Sequence, residues 1–237
     1  MNLILFDAEE IGRPLAADDV RAKHLLAVLR RRPGDTFDAG IVDGPRGKGT
    51  LLKAGPAGIE WSFGSESPSP DFDPITLIAG LPRPQTARKI LSEAAALGVR
   101  AMRFVATDKG EPSYRSSTLW TTGEWRRHVR AGVEQAFATR IPEVVWGLSL
   151  AEALDGAGSG TALIALDNYE ASASLATVSL SAQVALAIGS ERGWSAPERG
   201  LLRERGAALA GLGRRVLRTE TACVAALAIV RARMGLF

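Results

Sequence analysis

Short apolar runs separated by turn residues occupy the first part of the chain. Runs of this length and setting are typical of strands. They cover residues 3–6, 36–42, 50–54 and 59–63. One helix is predicted at residues 18–32, because Asp19 can cap its start and Pro33 and Gly34 end it. The glycine-rich residues 43–49 are predicted as a flexible hairpin tip, and the region as a small β-barrel.

The hydrophobic pattern then changes to an alternation of strands and helices, after a stretch rich in Pro, Ser and Gly at residues 64–70. The predicted strands are residues 75–79, 101–106, 161–166 and 184–188, and the predicted helices are residues 85–97, 120–138, 195–209 and 220–234. Continuous apolar runs suit strands that are covered on both faces of a mostly parallel sheet. The sequence therefore predicts an α/β fold with two domains, at residues 1–66 and 72–237.

The composition excludes several classes of protein. The chain is 46% hydrophobic and 23% charged, as in ordinary globular proteins. The single cysteine, Cys223, excludes an internal disulfide, and two histidines are too few for a zinc site, so no metal is expected. The start lacks a secretory leader and no segment is long and apolar enough to span a bilayer, so a cytoplasmic protein without membrane contact is expected.

Positive charge is concentrated in clusters, although the net charge is only +3. Two groups lie in the predicted β region, and a third follows Gly213. The first groups comprise Lys23, Arg30, Arg31 and Arg32, and then Arg46 and Lys48. Arginines at a helix end are favoured by the helix dipole, but the same residues can bind RNA phosphates. Both interpretations remain open, and RNA binding is the prediction for these six residues.

The strongest chemical signal lies at residues 184–198. A buried strand leads into a loop bracketed by Gly189 and Gly193, and a helix follows in which Ser195 and Glu198 form a capping box. Loops at the carboxyl ends of parallel strands are where α/β sheets bind ligands, and glycines let the backbone approach them. The loop matches neither of the common phosphate-binding motifs. It is therefore predicted to hold a ligand by backbone contacts and shape.

A family resemblance becomes specific at residues 212–222. The run Leu-Gly-Arg-Arg-Val-Leu-Arg-Thr-Glu-Thr-Ala, placed after a Gly-x-Glu-x-Gly loop, resembles the signature of the small-subunit ribosomal RNA uridine-N3 methyltransferase (RsmE) family. Other segments resemble that family in the same order along nearly the whole chain. They are His24 with Val28-Leu29-Arg30 and Gly34-Asp35, Gly80-Leu81-Pro82, Leu97-Gly98-Val99, Glu134-Gln135, and Arg140-Ile141-Pro142-Glu143-Val144.

The resemblance implies a PUA-like RNA-binding domain followed by a SPOUT α/β domain with a deep trefoil knot. It further implies a homodimer that binds S-adenosylmethionine and methylates N3 of a uridine in small-subunit ribosomal RNA. The catalytic residues carried over are Arg218, Arg140 and Glu134. The residues carried over to the cofactor are Leu166, Ile188, Gly189, Ser190, Glu191, Gly193, Trp194, Leu212, Gly213, Val216, Leu217, Arg218, Glu220 and Thr221.

The chain departs from the family pattern mainly on the substrate side. Ser190 stands where the family has Pro, Arg192 where it has Gly, and Ala138 where it has Arg. Glu93 and Ala96 replace the usual Lys and Glu. Arg192 either obstructs the cofactor, if the backbone needs a positive φ, or points into solvent. Two alternatives therefore stay open: a knotted RNA-binding protein with impaired catalysis, and a methyltransferase for a different RNA or base.

Overall fold

The protein, described here by a computed structural model, divides into two compact units. The structure describes residues 3–237. The first unit comprises the described residues up to Asp71 together with Val133–Ile141, and the second comprises Phe72–Gly132 and Pro142–Phe237.

The first unit contains a five-stranded sheet in the order β1-β3-β4-β5-β2. Its strands are β1 (Ile4–Phe6), β2 (Leu15–Ala16), β3 (Thr36–Ile41), β4 (Arg46–Gly55) and β5 (Gly58–Ser67). β1 pairs with β3 in parallel, and the other neighbours are antiparallel. The predicted β region is thus confirmed as a sheet, which is open at β1 and β2 within the described residues.

The prediction of a flexible hairpin tip at residues 43–49 is partly wrong, because Arg46 and Lys48 lie inside β4. The glycines between them have a packing reason. A Cβ at Gly47 would lie 2.0 Å from the Gly64 oxygen, and one at Gly49 would lie 2.2 Å from the Phe37 ring. Glycine at these positions therefore allows close approach of neighbouring strands.

The predicted helix at residues 18–32 is also shorter than expected. Asp19 caps α1 (Val20–Lys23) as predicted, and a π-helical turn (His24–Val28) follows. Arg30 has a φ of +53°, so the chain leaves the helix before the predicted end. A short 3₁₀ helix (Ala8–Glu10) lies between β1 and β2. The core below the sheet contains Phe6 stacked on Trp61 at 4.0 Å.

The second unit is built on a seven-stranded sheet in the order β10-β12-β9-β11-β6-β7-β8. Its strands are β6 (Asp73–Gly80), β7 (Val99–Val105), β8 (Glu143–Leu148), β9 (Ala162–Leu166), β10 (Ala173–Ser174), β11 (Val184–Ile188) and β12 (Ala208–Gly211). All neighbouring strands are parallel. This confirms the predicted parallel α/β sheet, and β11 has the predicted bounds.

Helices and the turns between them complete the second unit, with the last turn of α4 counted in the first. They are α2 (Pro84–Ala96), a 3₁₀ helix (Pro112–Ser116), α3 (Thr118–Thr121), α4 (Trp125–Gln135), α5 (Leu150–Asp155), α6 (Ala196–Glu204) and α7 (Thr219–Met234). No helix within residues 3–237 is long and apolar enough to cross a membrane.

Two predicted helices are wrong in extent. The helix expected at residues 120–138 is interrupted at Gly123, which has a φ of +77°. The helix expected at residues 195–209 ends before Gly206, whose φ is also +77°, and the chain continues into β12. The Ala-Leu-Ala pattern of β12 suits a helix equally well, so pairing with β9 decides its structure. The strands β2, β8 and β10 and the helix α5 were not predicted.

Candidate active site at the carboxyl edge of the parallel sheet

A cavity of about 230 Å³ lies in the second unit, where β9, β11 and β12 end. Three stretches of chain form its wall. They contribute Leu166, Asp167, Asn168 and Tyr169, then Ile188, Gly189, Ser190, Glu191, Arg192 and Gly193, and finally Ala210, Leu212, Arg215, Val216, Leu217, Thr219 and Ala222. The position agrees with the general rule that open α/β sheets bind ligands beyond the carboxyl ends of their strands.

Nine of the residues predicted for the cofactor lie in this wall. They are Leu166, Ile188, Gly189, Ser190, Glu191, Gly193, Leu212, Val216 and Leu217. The other five predicted residues do not line the cavity, and they are Trp194, Gly213, Arg218, Glu220 and Thr221. Glu220 instead pairs with Lys89 at 3.1 Å, and Arg218 is the N-cap residue of α7.

Eight further residues of the wall are not among the residues named for the cofactor, although Arg192, Arg215 and Thr219 lie within the same stretches. They are Asp167, Asn168, Tyr169, Arg192, Ala210, Arg215, Thr219 and Ala222. Asp167, Asn168 and Tyr169 follow Leu166 directly, so the rule that ligands bind where parallel strands end could have found them. Ala210 lies on β12. Because the sequence did not predict this strand, it could not predict a site residue at its end.

The glycine loop after β11 has one left-handed position, which is Gly193 and not Arg192. Gly193 has a φ of +67°, whereas Arg192 has no positive φ and its side chain is exposed. The backbone at Arg192 therefore does not need glycine, although the residue itself lines the cavity. A Cβ at Gly189 would lie 2.9 Å from the Gly193 Cα, so the close packing of the loop explains the glycine at position 189.

Contacts from several elements hold this loop in place. The Arg83 N–H donates to Glu191 Oε1 at 3.0 Å, and the Lys109 ammonium donates to the Trp194 carbonyl at 2.9 Å. The Trp194 indole is fully buried and donates to the Leu166 carbonyl at 3.1 Å. Trp194 is therefore a core residue that ties the loop to the end of β9, and not a wall of the cavity.

The helix after the loop begins as the sequence predicts. Ser195 accepts a hydrogen bond from the Glu198 N–H, and the Glu198 carboxylate accepts one from the Ser195 N–H. The Ser195 hydroxyl also donates to Asp108 Oδ2 at 2.5 Å, and Glu198 Oε1 accepts from the Asp108 N–H. The capping box is thus confirmed, and it fastens the segment that follows β7 as well.

A buried ion pair fixes the segment after β9. Arg199 Nε donates to Asp167 Oδ2 at 2.7 Å, and the two side chains are 8% and 1% exposed. Burial by itself would raise the pKa of Asp167. Hydrogen bonds from the Glu170 N–H, from Arg199 and from the Tyr169 N–H outweigh it, so that pKa lies below its usual value. The carboxylate therefore remains charged at neutral pH.

The segment between β12 and α7 is held much less. Residues 213–218 are all exposed, and Val216 is 77% exposed. Within the described part of the chain, the side chains of Arg214, Arg215 and Arg218 make no hydrogen bond or ion pair. This segment therefore exposes three arginines, of which Arg215 lines the cavity, together with the apolar side chain of Val216.

Ser190 has an unusual hydroxyl. The residue is buried in the cavity wall, and its Oγ has no hydrogen-bond partner within the described structure. A buried hydroxyl without a partner is unfavourable by about 1–3 kcal/mol. Together with the aliphatic walls and the close-packed glycine backbone, it suits an organic ligand that has flat apolar parts and polar atoms.

The other two predicted catalytic residues belong to the first unit. Glu134 Oε1 accepts a hydrogen bond from the Leu5 N–H at 3.2 Å, at the end of α4, and so supports β1. Arg140 pairs with Asp71 at 3.0 Å and remains partly exposed. Glu134 thus has a structural role of its own, and the catalytic roles of both residues stay predictions.

The six residues predicted to bind RNA are placed differently from one another. Arg46 donates to the Ser67 hydroxyl and the Phe137 carbonyl, and Lys48 pairs with Asp38. Lys23, Arg30 and Arg32 have exposed side chains, and Arg31 is partly buried. The exposed cations that are available to phosphates therefore lie at residues 23–32 more than in β4.

Comparison with known proteins identifies the family. A family model described as an RNA methyltransferase domain matches residues 68–231. The ribosomal RNA small subunit methyltransferase E of Treponema pallidum is 34% identical, over 98% of this chain and 91% of that protein. The protein of that name numbered 1 from Borreliella burgdorferi is 24% identical, over 99% of each chain.

Solved structures agree on the fold. The ribosomal RNA small subunit methyltransferase E of Neisseria gonorrhoeae, bound to S-adenosyl methionine, has a TM-score of 0.77 over 98% of each chain at 24% identity. A Legionella pneumophila protein in complex with the cofactor SAM has a TM-score of 0.79 at 21% identity, over 97% of this chain and 96% of that one. The chain described here therefore belongs to the RNA methyltransferase family that includes the ribosomal RNA small subunit methyltransferases E.

Proposed function

We propose that the protein transfers a methyl group from S-adenosylmethionine to a base of small-subunit ribosomal RNA, and that the acceptor is N3 of a uridine. One observation carries the proposal: nine residues chosen from the family signature surround one cavity at the carboxyl edge of the parallel sheet. Family membership and relatives with bound S-adenosyl methionine support it. A ribosomal RNA substrate also implies activity in the cytoplasm.

The cavity suits the proposed cofactor. Leu166, Ile188 and Leu217 provide apolar wall for an adenine ring, and the Gly189 backbone can approach the ligand closely. The partnerless Ser190 hydroxyl is available to a polar group of the cofactor. S-adenosylmethionine, when bound, supplies a methyl group on a positively charged sulfur.

The protein contributes alignment and charge to the transfer. Methyl transfer is an in-line displacement, which depends on positioning once the acceptor nitrogen has lost its proton. Arg218 lies at the start of α7, beside the segment that lines the cavity, and its guanidinium is exposed. It can stabilise the uridine anion by charge-assisted hydrogen bonds and never needs to lose its own proton. The catalytic roles of Arg140 and Glu134, which the family resemblance implies, remain part of the proposal.

The remaining architecture is part of the proposal. The chain leaves β11 on one side of β9 and reaches β12 on the other, which supports a trefoil knot around this segment. The exposed Val216 supports a homodimer that covers it. The first domain, at residues 1–66, is PUA-like and binds RNA phosphates with Lys23, Arg30 and Arg32. The methyltransferase domain is built on residues 72–237, apart from residues 133–141, which group with the first unit.

An RNA-binding protein with impaired catalysis is the second candidate. Ala138, Glu93 and Ala96 favour it, since each replaces a charged family residue. Arg192 favours it less, because its backbone has no positive φ and so tolerates a side chain.

Calorimetric titration with S-adenosylmethionine and S-adenosylhomocysteine is the first test. We expect saturable binding of both, which Gly193→Val abolishes because a branched side chain does not tolerate the φ of +67°. Gly206→Val, the matched control, puts a branched side chain at a similar φ of +77° away from the cavity and should bind normally. Incubation with small ribosomal subunits, and separately with protein-free ribosomal RNA, then gives the modified nucleotide by mass spectrometry. Absence of binding to the folded protein, with and without RNA, would refute the cofactor assignment.

A further inference from the structure

We propose that Tyr169 is a stacking platform for a nucleobase of the RNA substrate, held ready at the mouth of the cavity by Arg199 and Asp167. The proposal rests on the proposed function, since it assumes an RNA substrate. It assigns a base-binding position to a residue that no signature motif contains. Tyr169 lines the cavity, yet its side chain is 77% exposed.

The backbone of Tyr169 is fixed by a tight turn. Asp167 Oδ1 accepts hydrogen bonds from the Tyr169 N–H at 2.8 Å and from the Glu170 N–H at 2.6 Å. Such a turn around an aspartate side chain sets the direction in which the following residues point. The backbone of Tyr169 is therefore oriented by this turn after β9, and its orientation does not depend on contacts of the tyrosine side chain.

A buried cation lies over one face of the tyrosine ring. The Arg199 guanidinium lies 5.3 Å from the ring centroid, a distance at which a cation attracts the face of an aromatic ring. Arg199 is itself almost completely buried and is held by Asp167 and Glu170. Burying two charges is unfavourable unless they are well paired. The good geometry of this pair therefore keeps Arg199 fixed beneath the exposed ring.

The exposed face of the ring is suited to a base that arrives from outside the cavity. Tyr169 lies in the wall of the cavity, with most of its side chain in solvent. Arg215 lines the same cavity, and Arg214 and Arg218 lie exposed beside it in the sequence. An aromatic platform next to free cations is the usual combination for single-stranded nucleic acid, in which bases stack and phosphates are neutralised.

Replacement of the ring provides the test. Tyr169→Leu keeps apolar bulk and removes the π face, and Tyr169→Phe keeps the face and removes the hydroxyl. Affinity is measured for a uridine-containing single-stranded RNA and, in separate titrations, for S-adenosylmethionine. We expect Tyr169→Leu to weaken RNA binding roughly 5- to 150-fold, the effect of one lost base stack, with cofactor affinity within about twofold of the wild type. Tyr169→Phe should stay within about threefold for both ligands.

Phe237→Leu is the matched control. Phe237 is likewise exposed, at 80%, and likewise lies over an arginine, with Arg231 4.8 Å from its ring centroid, but it does not line the cavity. We expect this variant to bind RNA like the wild type. An equal loss of RNA affinity in Phe237→Leu would mean that any exposed ring contributes, and would overturn the assignment.

Two other results would also overturn it. One is RNA affinity unchanged in Tyr169→Leu, and the other is a loss of cofactor affinity that equals or exceeds the loss of RNA affinity, which would place the ring in the cofactor site. The proposed function fails independently, if the wild type methylates no RNA. In that case the RNA affinities of the Leu and Phe variants still decide whether Tyr169 stacks on a base. A melting temperature near that of the wild type confirms that each variant is folded.

Discussion

The two sides of the cavity are built in opposite ways. Residues 166–170 and 189–195, which we call the pinned rim, are tied by an ion pair, an indole hydrogen bond and a capping box. Residues 212–218, which we call the open rim, expose their arginines without a hydrogen bond or ion pair among the described residues. The polar side chains that hold the pinned rim thus have their partners within the described part of the chain, and the arginines of the open rim do not.

The difference separates two tasks. A rim whose contacts are already made loses little entropy when a small ligand binds, so it favours tight binding of a cofactor. A rim with uncompensated cations and an exposed Val216 gains contacts only from another molecule, either RNA or a second subunit. Changes in the pinned rim should therefore appear first in stability, and changes in the open rim first in methyl transfer.

The largest effect is expected in the pinned rim. Arg199→Met leaves the Asp167 carboxylate buried without its partner, and should lower the free energy of unfolding by about 3–5 kcal/mol. Denaturation in urea measures it. Arg203→Met is the control on the same helix, because Arg203 pairs with Glu170 at the surface and should contribute less than about 1 kcal/mol.

The pH dependence of that difference tests its electrostatic origin. The pKa of Asp167 in the folded protein is below its usual value of 3.8, so the ion pair stabilises fully above that value and is lost as the pH falls through the lower one. In Arg199→Met the carboxylate stays buried but loses this cation, so the pKa of Asp167 is higher than in the wild type. The stability gap between the two proteins should therefore narrow as the pH falls from the pKa of Asp167 in the variant towards its lower pKa in the wild type. A gap that stayed constant down to acid unfolding would mean that packing, and not charge, is lost.

The open rim should respond in activity alone. Arg218→Ala should reduce methyl transfer by about 100- to 1000-fold, as when one stabilising donor is removed from a developing anion. Its free energy of unfolding should stay within about 0.5 kcal/mol, since the side chain has no hydrogen bond to lose. Single-turnover methylation measures the first and urea denaturation the second.

Arg214→Ala is the control in the open rim, where Arg214 is also exposed. A phosphate contact at this position should affect the KM for RNA and leave the turnover of bound RNA unchanged. Unchanged turnover in Arg218→Ala would remove Arg218 from the catalytic assignment.

The smallest effect is expected at Ser190, where the pinned rim has an unmet hydrogen bond. Ser190→Ala removes a buried hydroxyl without a partner, so the protein without ligand should gain about 1 kcal/mol of stability. If the hydroxyl binds the cofactor, affinity falls by roughly 2- to 12-fold at the same time. Calorimetry and thermal melting separate the two quantities. A variant that is neither more stable nor weaker in binding would show that the hydroxyl has found another partner.

The elements that the sequence predicted correctly depend on local patterns. The run Val184–Ile188 is apolar at every position and is bounded by turn residues, as suits a short strand covered on both faces. The capping box of Ser195 and Glu198 joins residues three positions apart, and Gly98 takes the φ of +78° expected of a residue that ends a helix. The family signature then located most of the cavity wall, because its residues follow two of these strands.

The sequence by itself therefore determined the parallel α/β sheet, the glycine loop and the arginine-rich segment, since each is a property of neighbouring residues. Only the tertiary structure decided that Ala208–Gly211 is a strand, because its partner β9 lies about 40 residues earlier in the chain. It also decided that Arg199 lies beneath Tyr169 and against Asp167, a contact between residues 32 positions apart. A buried ion pair forms only where folding has already removed water, so no local pattern records it.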